Sequence, residues 1–216
     1  MINLKIPVGI SDFEKIRKNQ YYFVDKSGLI EELLNTESNE VTLITRPRRF
    51  GKTLGMSMLA SFFDIRRDSS ELFRGLKISQ KEELCQKWMN QYPVLFVTFK
   101  DVDGLDFQSA KEMLRIQIAD RCNEYLCLIS SEKVNENDKA IFRQLADVVK
   151  GDVSDAMLKT GIALIMRMLQ DYYEKPVILL LDEYDVPLAK ASAHGYYAEM
   201  LEVMRAMIST ALKDLQ

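Results

Sequence analysis

The residues with the clearest chemical potential are Gly51, Lys52 and Thr53, which close a short loop and open a helical pattern. A glycine lets the backbone approach a ligand closely, and the amides at a helix N-terminus attract anions. A lysine at this point can reach the phosphates of a nucleotide, and a threonine hydroxyl can ligate Mg²⁺. The spacing therefore predicts a phosphate-binding loop, with Lys52 on the β- and γ-phosphates and Thr53 on the metal ion.

The start of this loop departs from the usual pattern, because Arg46 stands where such loops ordinarily begin with glycine. Pro47 removes one amide, whereas the amides from Arg49 to Thr53 remain available to hold phosphate oxygens. The guanidinium groups of Arg46, Arg48 and Arg49 suit phosphate, but they suit an acidic neighbour or a partner equally well.

A second candidate group is the acidic pair Asp182 and Glu183, which follows the apolar run 177–181. Carboxylates at the carboxyl end of a parallel strand lie where open α/β sheets bind ligands. An aspartate there can hold Mg²⁺, and an adjacent glutamate can deprotonate an attacking water. The alternative is that both residues cap the turn that leads to Pro187. The pair occurs together with the loop, which favours the catalytic interpretation.

Other polar residues are weaker candidates. Asp185 is interpreted as a turn carboxylate that could supplement the metal site. Residues 25–26, an Asp-Lys pair, are interpreted as a local salt bridge and helix cap, with a position near a nucleotide base as the alternative. Asp101 and Asp103 follow a predicted strand and could touch the site from its edge.

The elements that must position these residues follow from hydrophobic periodicity. Compact apolar runs predict strands, and apolar residues recurring every three to four positions predict helices. The predicted strands are 41–45, 94–99 and 177–182, and the predicted helices are 11–20, 28–34, 53–63, 106–129, 137–150, 154–173 and 196–215. Apolar strands alternating with helices predict an α/β domain with a mostly parallel sheet covered on both faces.

Composition limits the protein class. Hydrophobic residues make up 47% and charged residues 28% of the 216 residues, which excludes a disordered chain. The formal net charge of −3 argues against a duplex nucleic-acid surface over the whole chain, and leaves only a local patch of arginines open. The chain shows no signal peptide and no membrane-length apolar run, so a cytoplasmic location without a membrane partner is predicted.

The cysteines and the single histidine are assigned no chemistry. Cys85, Cys122 and Cys127 form no CxxC pair, so they are predicted to be reduced thiols in the core. His194 is predicted to lie at the surface, in a turn before the last helix.

Together these segments resemble the bacterial AAA-ATPase-like family, whose members often carry a PD-(D/E)XK nuclease-like domain after the ATPase region. The resemblance rests most specifically on RPRRFGKT and LDEYDVPL, with support from IPVGISDFEKIR, YYFVDKSGLI and GYYAEML. It runs from Ile6 to Lys213, and it makes the missing first glycine a feature of the family.

The resemblance implies an ASCE-type, AAA-like P-loop NTPase fold of three layers, with ATP and Mg²⁺ as cofactors. It implies that Lys52 and Glu183 are catalytic and that Thr53 and Asp182 bind the metal ion. The nucleotide-binding residues that it implies are Arg46, Arg48, Arg49, Phe50, Gly51, Lys52, Thr53 and Leu54.

The resemblance also predicts that residues 1–216 form one AAA-ATPase-like domain with a helical insertion at about 106–173. The segment after Asp182 is predicted to end in a helix, so strands 4 and 5 of the expected sheet have no candidate segment. The domain is therefore predicted to be truncated, and an arginine finger would come from elsewhere.

The motifs leave three functional interpretations open. The first is a module that binds and hydrolyses ATP, with Glu183 as the base. The second is a nucleotide-binding or interaction module without turnover, because the expected sheet is incomplete. The third is a nucleic-acid-acting protein, in which the ATPase region serves a nuclease-like domain. The expected partner is the nucleotide, and such a domain or a second copy of the chain are further candidates.

Overall fold

The computed structural model describes residues 5–35, 41–45, 50–149 and 153–213. The α-helices are α1 (Phe13–Lys18), α2 (Gly28–Asn35), α3 (Lys52–Phe63), α4 (Ser70–Phe73), α5 (Glu82–Trp88), α6 (Phe107–Glu124), α7 (Glu136–Ala146), α8 (Asp155–Tyr173), α9 (Val186–His194) and α10 (Tyr197–Lys213). The strands are β1 (Val94–Thr98) and β2 (Ile178–Asp182), and short 3₁₀-helices cover Lys77–Gln80 and Leu126–Ser130. The chain divides into two compact units, and the boundary between them in the sequence falls between Val94 and Leu95.

Aromatic packing dominates the core of the first unit. The ring centroids of Phe13 and Phe73 lie 4.9 Å apart, and those of Phe62 and Phe73 lie 5.3 Å apart. The backbone amide of Phe13 donates a hydrogen bond to the hydroxyl of Ser57, at 3.0 Å. These contacts fix α1 and α4 against α3, so the helix that follows the predicted phosphate loop has a rigid support.

The second unit joins the short sheet to a helical layer. The amide of Phe99 donates to the carbonyl of Asp182 at 3.0 Å, where the two parallel strands end at the same edge. The long helix α8 packs against α6, α7 and α10. Its buried side chains recur at helical spacing, at Leu158, Ile162, Ile165 and Leu169. The carboxyl end of β2 therefore belongs to a well-packed unit.

The α/β class and most predicted elements are confirmed. The strands at 94–98 and 178–182 pair side by side, and helices fill the region between them. Hydrophobic runs located these elements because burial of an apolar face is what stabilises them in the fold.

The predicted buried strand at 41–45 is wrong. These residues form no strand with any part of the chain that the structure describes, and Val41 and Leu43 are 58% and 66% exposed. A β-branched run becomes a strand only where a neighbouring strand pairs with its backbone, so residue type alone misled the prediction.

The region after β2 was predicted incompletely. Residues 186–194 form α9, although Pro187 had suggested a turn. Proline fits the first turn of a helix, because its missing N–H has no partner there anyway. Within the described residues, α9 and α10 follow β2 and no further strand does.

Local details also differ from the predictions. The predicted helix 106–129 ends its α-helical part at Glu124, and a 3₁₀-helix follows. Only Cys122 is buried, and burial raises the pKa of its thiol to about 12. Cys85 is half-buried and Cys127 is exposed, so the prediction of core thiols is wrong for Cys127.

Candidate functional site

The predicted phosphate loop ends in a left-handed glycine. Gly51 has φ 79° and ψ 30°, and it is the N-cap residue of α3. Its carbonyl accepts from the amide of Gly55 at 2.9 Å, which closes the first helical turn. The first amides of a helix have no partner within the helix. Within the described residues no partner is recorded for the amides of Gly51, Lys52 and Thr53, so the N-terminus of α3 offers donors at the positive end of the helix dipole.

The side chains around this helix start are accessible to a ligand. Lys52, Thr53 and Leu54 are half-buried, and Phe50 is 60% exposed. Among the described residues, no hydrogen-bond or ion-pair partner is recorded for the side chains of Lys52 and Thr53. An ammonium and a hydroxyl thus stand next to open amides, which is a donor set that suits a polyphosphate.

Lys26 is a residue of this region whose role sequence reasoning missed. Its Nζ donates to the carbonyl of Phe50 at 3.0 Å, at the exposed side of the loop. Asp25 does not pair with it, and instead accepts from the amides of Ser27 and Lys77, both at 2.8 Å. The interpretation of residues 25–26 as a local salt bridge is therefore wrong. The amides that Asp25 accepts from lie ahead of α2 and in the 3₁₀-helix Lys77–Gln80, so among the described residues no bond recorded for Asp25 caps α2.

The hydrogen bonds of Asp25 also affect its acidity. Partial burial opposes ionisation, but the bonds from Ser27 and Lys77 outweigh it and hold the pKa of Asp25 below its ordinary 3.8. The carboxylate is thus an ionised anchor for the segment that carries Lys26.

In the second unit, Asp182 is a buried carboxylate at the end of β2. The residue is only 3% exposed, and its Oδ2 has no hydrogen-bond partner among the residues that the structure describes. A buried polar atom without a partner costs free energy, so such an atom needs an explanation. A carboxylate oxygen is a preferred ligand of Mg²⁺, and the arrangement of Asp182 fits that ion.

Glu183 follows in a strained backbone conformation. Its φ is 54°, in the left-handed region that residues other than glycine rarely adopt. Its carbonyl accepts from the amide of Val186 at 3.1 Å, which turns the chain into α9. Strained residues cluster at functional sites, where surrounding structure holds them. The side chain is half-buried, so its carboxylate is within reach of solvent.

The weaker acidic candidates have structural partners or exposed positions. Asp103 pairs with Lys190 of α9 at 2.7 Å, and this hydrogen bond lowers the pKa of Asp103. Asp185 is the exposed N-cap of α9, without a side-chain hydrogen bond to the helix. Asp101 is exposed as well. Among the described residues, no recorded contact joins these three carboxylates to Asp182, so none of them is shown to share a metal ion with it.

His194 lies at the surface, as predicted. Its ring stacks on that of Tyr196, with centroids 6.4 Å apart and planes 8° apart. The hydroxyl of Tyr196 donates to the carbonyl of Gly104 at 2.7 Å. These contacts hold the turn between α9 and α10 and are structural.

The two halves of the predicted site belong to different units. Residues 50–54 lie in the first unit, and Asp182 and Glu183 lie in the second. The remaining predicted residues, Arg46, Arg48 and Arg49, lie outside the described part of the chain. Within the described ranges, no group of three or more His, Cys, Asp or Glu residues forms a metal cluster.

The described helices include none with the combined length and apolar character that crossing a bilayer requires.

Comparison with known proteins gives one family and one relative. The family model described as "Predicted AAA-ATPase" matches residues 7–216. A protein from Azotobacter chroococcum mcd 1, described as "Uncharacterized protein in vnfD 5'region", is 38% identical over 194 residues. The alignment covers 87% of this chain and 30% of that protein, so the chain spans less than a third of its relative. No solved structure matches.

Proposed function

The chain belongs to the predicted AAA-ATPase family, and on that premise we propose that it binds ATP with Mg²⁺ and hydrolyses the nucleotide. The observation that carries the proposal is the buried Asp182, whose Oδ2 lacks a partner among the described residues. An acceptor kept unpaired at the carboxyl end of a strand is suited to a cation.

The proposed phosphate contacts come from the start of α3. The open amides from Gly51 onward bind phosphate oxygens, and Lys52 neutralises the β- and γ-phosphates. Gly51 is required here because its φ of 79° is a conformation that other residues adopt only with strain. The roles of Phe50 and Leu54 are limited to their backbone amides, and those of Arg46, Arg48 and Arg49 stay predictions.

The proposed chemistry at the second motif uses two carboxylates with different environments. Thr53 and Asp182 are the proposed ligands of Mg²⁺, which when bound neutralises charge on the phosphates. Glu183 takes a proton from water, and the resulting hydroxide attacks the γ-phosphorus as the bond to the β-phosphate oxygen breaks. The half-buried position of Glu183 supports this role, because a general base needs access to water.

The proposed fold is the mostly parallel P-loop arrangement of the family. The parallel pair β1 and β2 supports this proposal at the coarse level. A nuclease-like domain, a second copy of the chain and nucleic acid remain predicted partners without a supporting contact.

The test compares matched variants for ATP binding and phosphate release. Lys52→Ala is expected to lose ATP binding, whereas Lys15→Ala, an exposed lysine of the same unit, is expected to retain it. Glu183→Gln is expected to bind ATP but release no phosphate. Glu174→Gln is the control, because Glu174 shares the left-handed φ of 54° in the same unit.

Two results would overturn parts of the proposal. A folded wild type that fails to bind ATP with Mg²⁺ would exclude the nucleotide function. Binding by wild type without any turnover would leave a nucleotide-binding module and exclude hydrolysis.

A further inference from the structure

Lys26 approaches the phosphate loop at the residue before its glycine. The Nζ of Lys26 donates to the carbonyl of Phe50 at 3.0 Å. The same Nζ lies 3.5 Å from the position that a Cβ on Gly51 would occupy. Lys26 is separated from Phe50 by 24 positions in the chain, so the contact joins two different segments of the first unit.

The segment that carries Lys26 is itself held firmly. Asp25 accepts from the amide of Lys77 at 2.8 Å, and the hydroxyl of Ser27 accepts from the amide of Ile78 at 3.2 Å. Ser27 is fully buried. Residues on both sides of Lys26 are therefore tied to the 3₁₀-helix Lys77–Gln80, and the lysine extends toward the loop from a fixed base.

The contact determines which way one loop amide faces. The peptide group between Phe50 and Gly51 is planar and trans, so its C=O and N–H point in opposite directions. When Lys26 holds the Phe50 carbonyl, the Gly51 N–H is directed away from Lys26. Among the described residues no partner is recorded for that N–H, so it is open to a ligand.

We propose that Lys26 is a positioning residue of the nucleotide site, which orients the Gly51 N–H toward a phosphate oxygen by holding the Phe50 carbonyl. The inference rests on the proposed function, because it assumes that the loop binds a nucleotide phosphate. It adds to that function a residue of the N-terminal segment, ahead of α2.

The chemistry of the contact explains why a cation is suited to it. A hydrogen bond from a charged donor to a carbonyl is stronger than one between neutral groups. Arginine retains charge and donors at this position, whereas methionine retains only the aliphatic stem. Lys26→Arg should therefore preserve the loop, and Lys26→Met should release the Phe50 carbonyl.

The first measurement needs no ligand. In the nucleotide-free protein, Lys26→Met is expected to move the NMR amide resonance of Gly51 and to leave that of Gly75 in place. Gly75 is a matched reference, because it lies in the same unit with a similar φ of 77°. Lys15→Met, on the exposed face of α1, is expected to move neither resonance.

The second measurement is ATP binding and turnover. Lys26→Met is expected to weaken ATP binding by about fivefold, the loss of one charge-assisted hydrogen bond at an exposed position. Lys26→Arg is expected to bind within about twofold of wild type. The kcat at saturating ATP is expected to stay unchanged, since Lys26 holds a binding amide and does not contact the attacking water.

The outcomes separate this inference from the proposed function. If wild type binds ATP, Lys52→Ala loses binding and Lys26→Met binds as wild type does, the positioning role is overturned and the function stands. If wild type binds no ATP, the proposed function is overturned, and an unchanged Gly51 resonance in Lys26→Met would overturn the contact as well.

Discussion

The predicted phosphate loop and the end of β2 both carry polar groups without a recorded partner among the described residues, but the two groups differ in type and in burial. At Gly51 the unpaired groups are backbone donors at a half-exposed helix start. At Asp182 the unpaired group is a side-chain acceptor that is nearly fully buried. Open donors attract an anion at little cost because water can reach them, whereas a buried acceptor without a partner destabilises the fold.

The comparison indicates where the proposed function costs the protein folding stability. The loop requires an unusual backbone conformation, which glycine adopts readily. The end of β2 has two destabilising features, the buried carboxylate of Asp182 and the left-handed backbone of Glu183. Neither can be relieved by substitution without losing one of the two carboxylates. We therefore expect substitutions at the strand end to raise stability as they remove activity, and substitutions at Gly51 to lower both.

Asp182→Asn is expected to have the largest effect. It should lower ATP turnover by about 100-fold or more, because a neutral amide is a poor ligand for Mg²⁺. It should also raise the unfolding temperature of the nucleotide-free protein, because an amide costs less to bury than a carboxylate. Phosphate release and thermal denaturation measure the two effects.

The control for that substitution is Asp185→Asn, at the exposed N-cap of α9. It should change the unfolding temperature little. A lower unfolding temperature in Asp182→Asn would contradict the interpretation of Asp182 as an unsatisfied buried carboxylate.

Gly51→Ala tests the backbone side of the comparison. At a φ of 79° alanine should destabilise the protein by about 1 kcal/mol and weaken ATP binding. Gly55→Ala, inside α3 with nothing within 4 Å of its Cβ, should instead stabilise by about 1 kcal/mol. Urea unfolding measures the change in the free energy of unfolding for each variant. Changes of the same sign in both variants would contradict the special role of the backbone at Gly51.

Glu183→Gly is expected to have a smaller effect on stability. Removing the left-handed strain should stabilise the protein by about 0.5 to 1 kcal/mol, while turnover is lost with the base. Glu174→Gly, at the same φ of 54° after α8, should give a similar gain and leave turnover intact. Turnover that survives in Glu183→Gly would exclude Glu183 as the general base.

The smallest expected effect concerns the anchor of Lys26. The pKa of Asp25 in the folded protein lies below 3.8, so its contribution to stability is present at neutral pH. That contribution is lost as the pH falls through the folded pKa. Asp25→Asn should therefore show a shallower loss of stability than wild type as the pH is lowered below 3.8, the ordinary pKa of this carboxyl. Parallel pH profiles of the two proteins would contradict the anchoring role.

An element was predicted well where its stabilising contacts follow a pattern along its own sequence. Helix α8 was predicted closely because its buried residues repeat at helical spacing, from Leu158 to Leu169. The predicted helix 11–20 begins two residues later, at Phe13, because Asp12 accepts the capping bond from the amide of Lys15 although the preceding Ser11 is also a common capping residue. Both residue types are good caps, so only the folded backbone distinguishes them.

The residue types of the candidate site are a prediction from the sequence, whereas the contacts around them come from the structure. Lys52, Thr53, Asp182 and Glu183 were identified from short motifs next to predicted elements. The contact between Lys26 and the Phe50 carbonyl has no signal in the sequence, because the two positions are far apart in the chain and the acceptor is backbone.

The amino-acid sequence by itself determined the helices with strong periodicity, the two apolar strands and the identity of the groups that could hold phosphate and metal. These features depend on side-chain chemistry and on neighbours along the chain. Tertiary structure decided three further features of the described residues: 41–45 form no strand, Oδ2 of the buried Asp182 has no hydrogen-bond partner, and Lys26 donates to the Phe50 carbonyl. Each of these depends on which distant segment supplies, or fails to supply, a hydrogen-bond partner, and no local pattern encodes that choice.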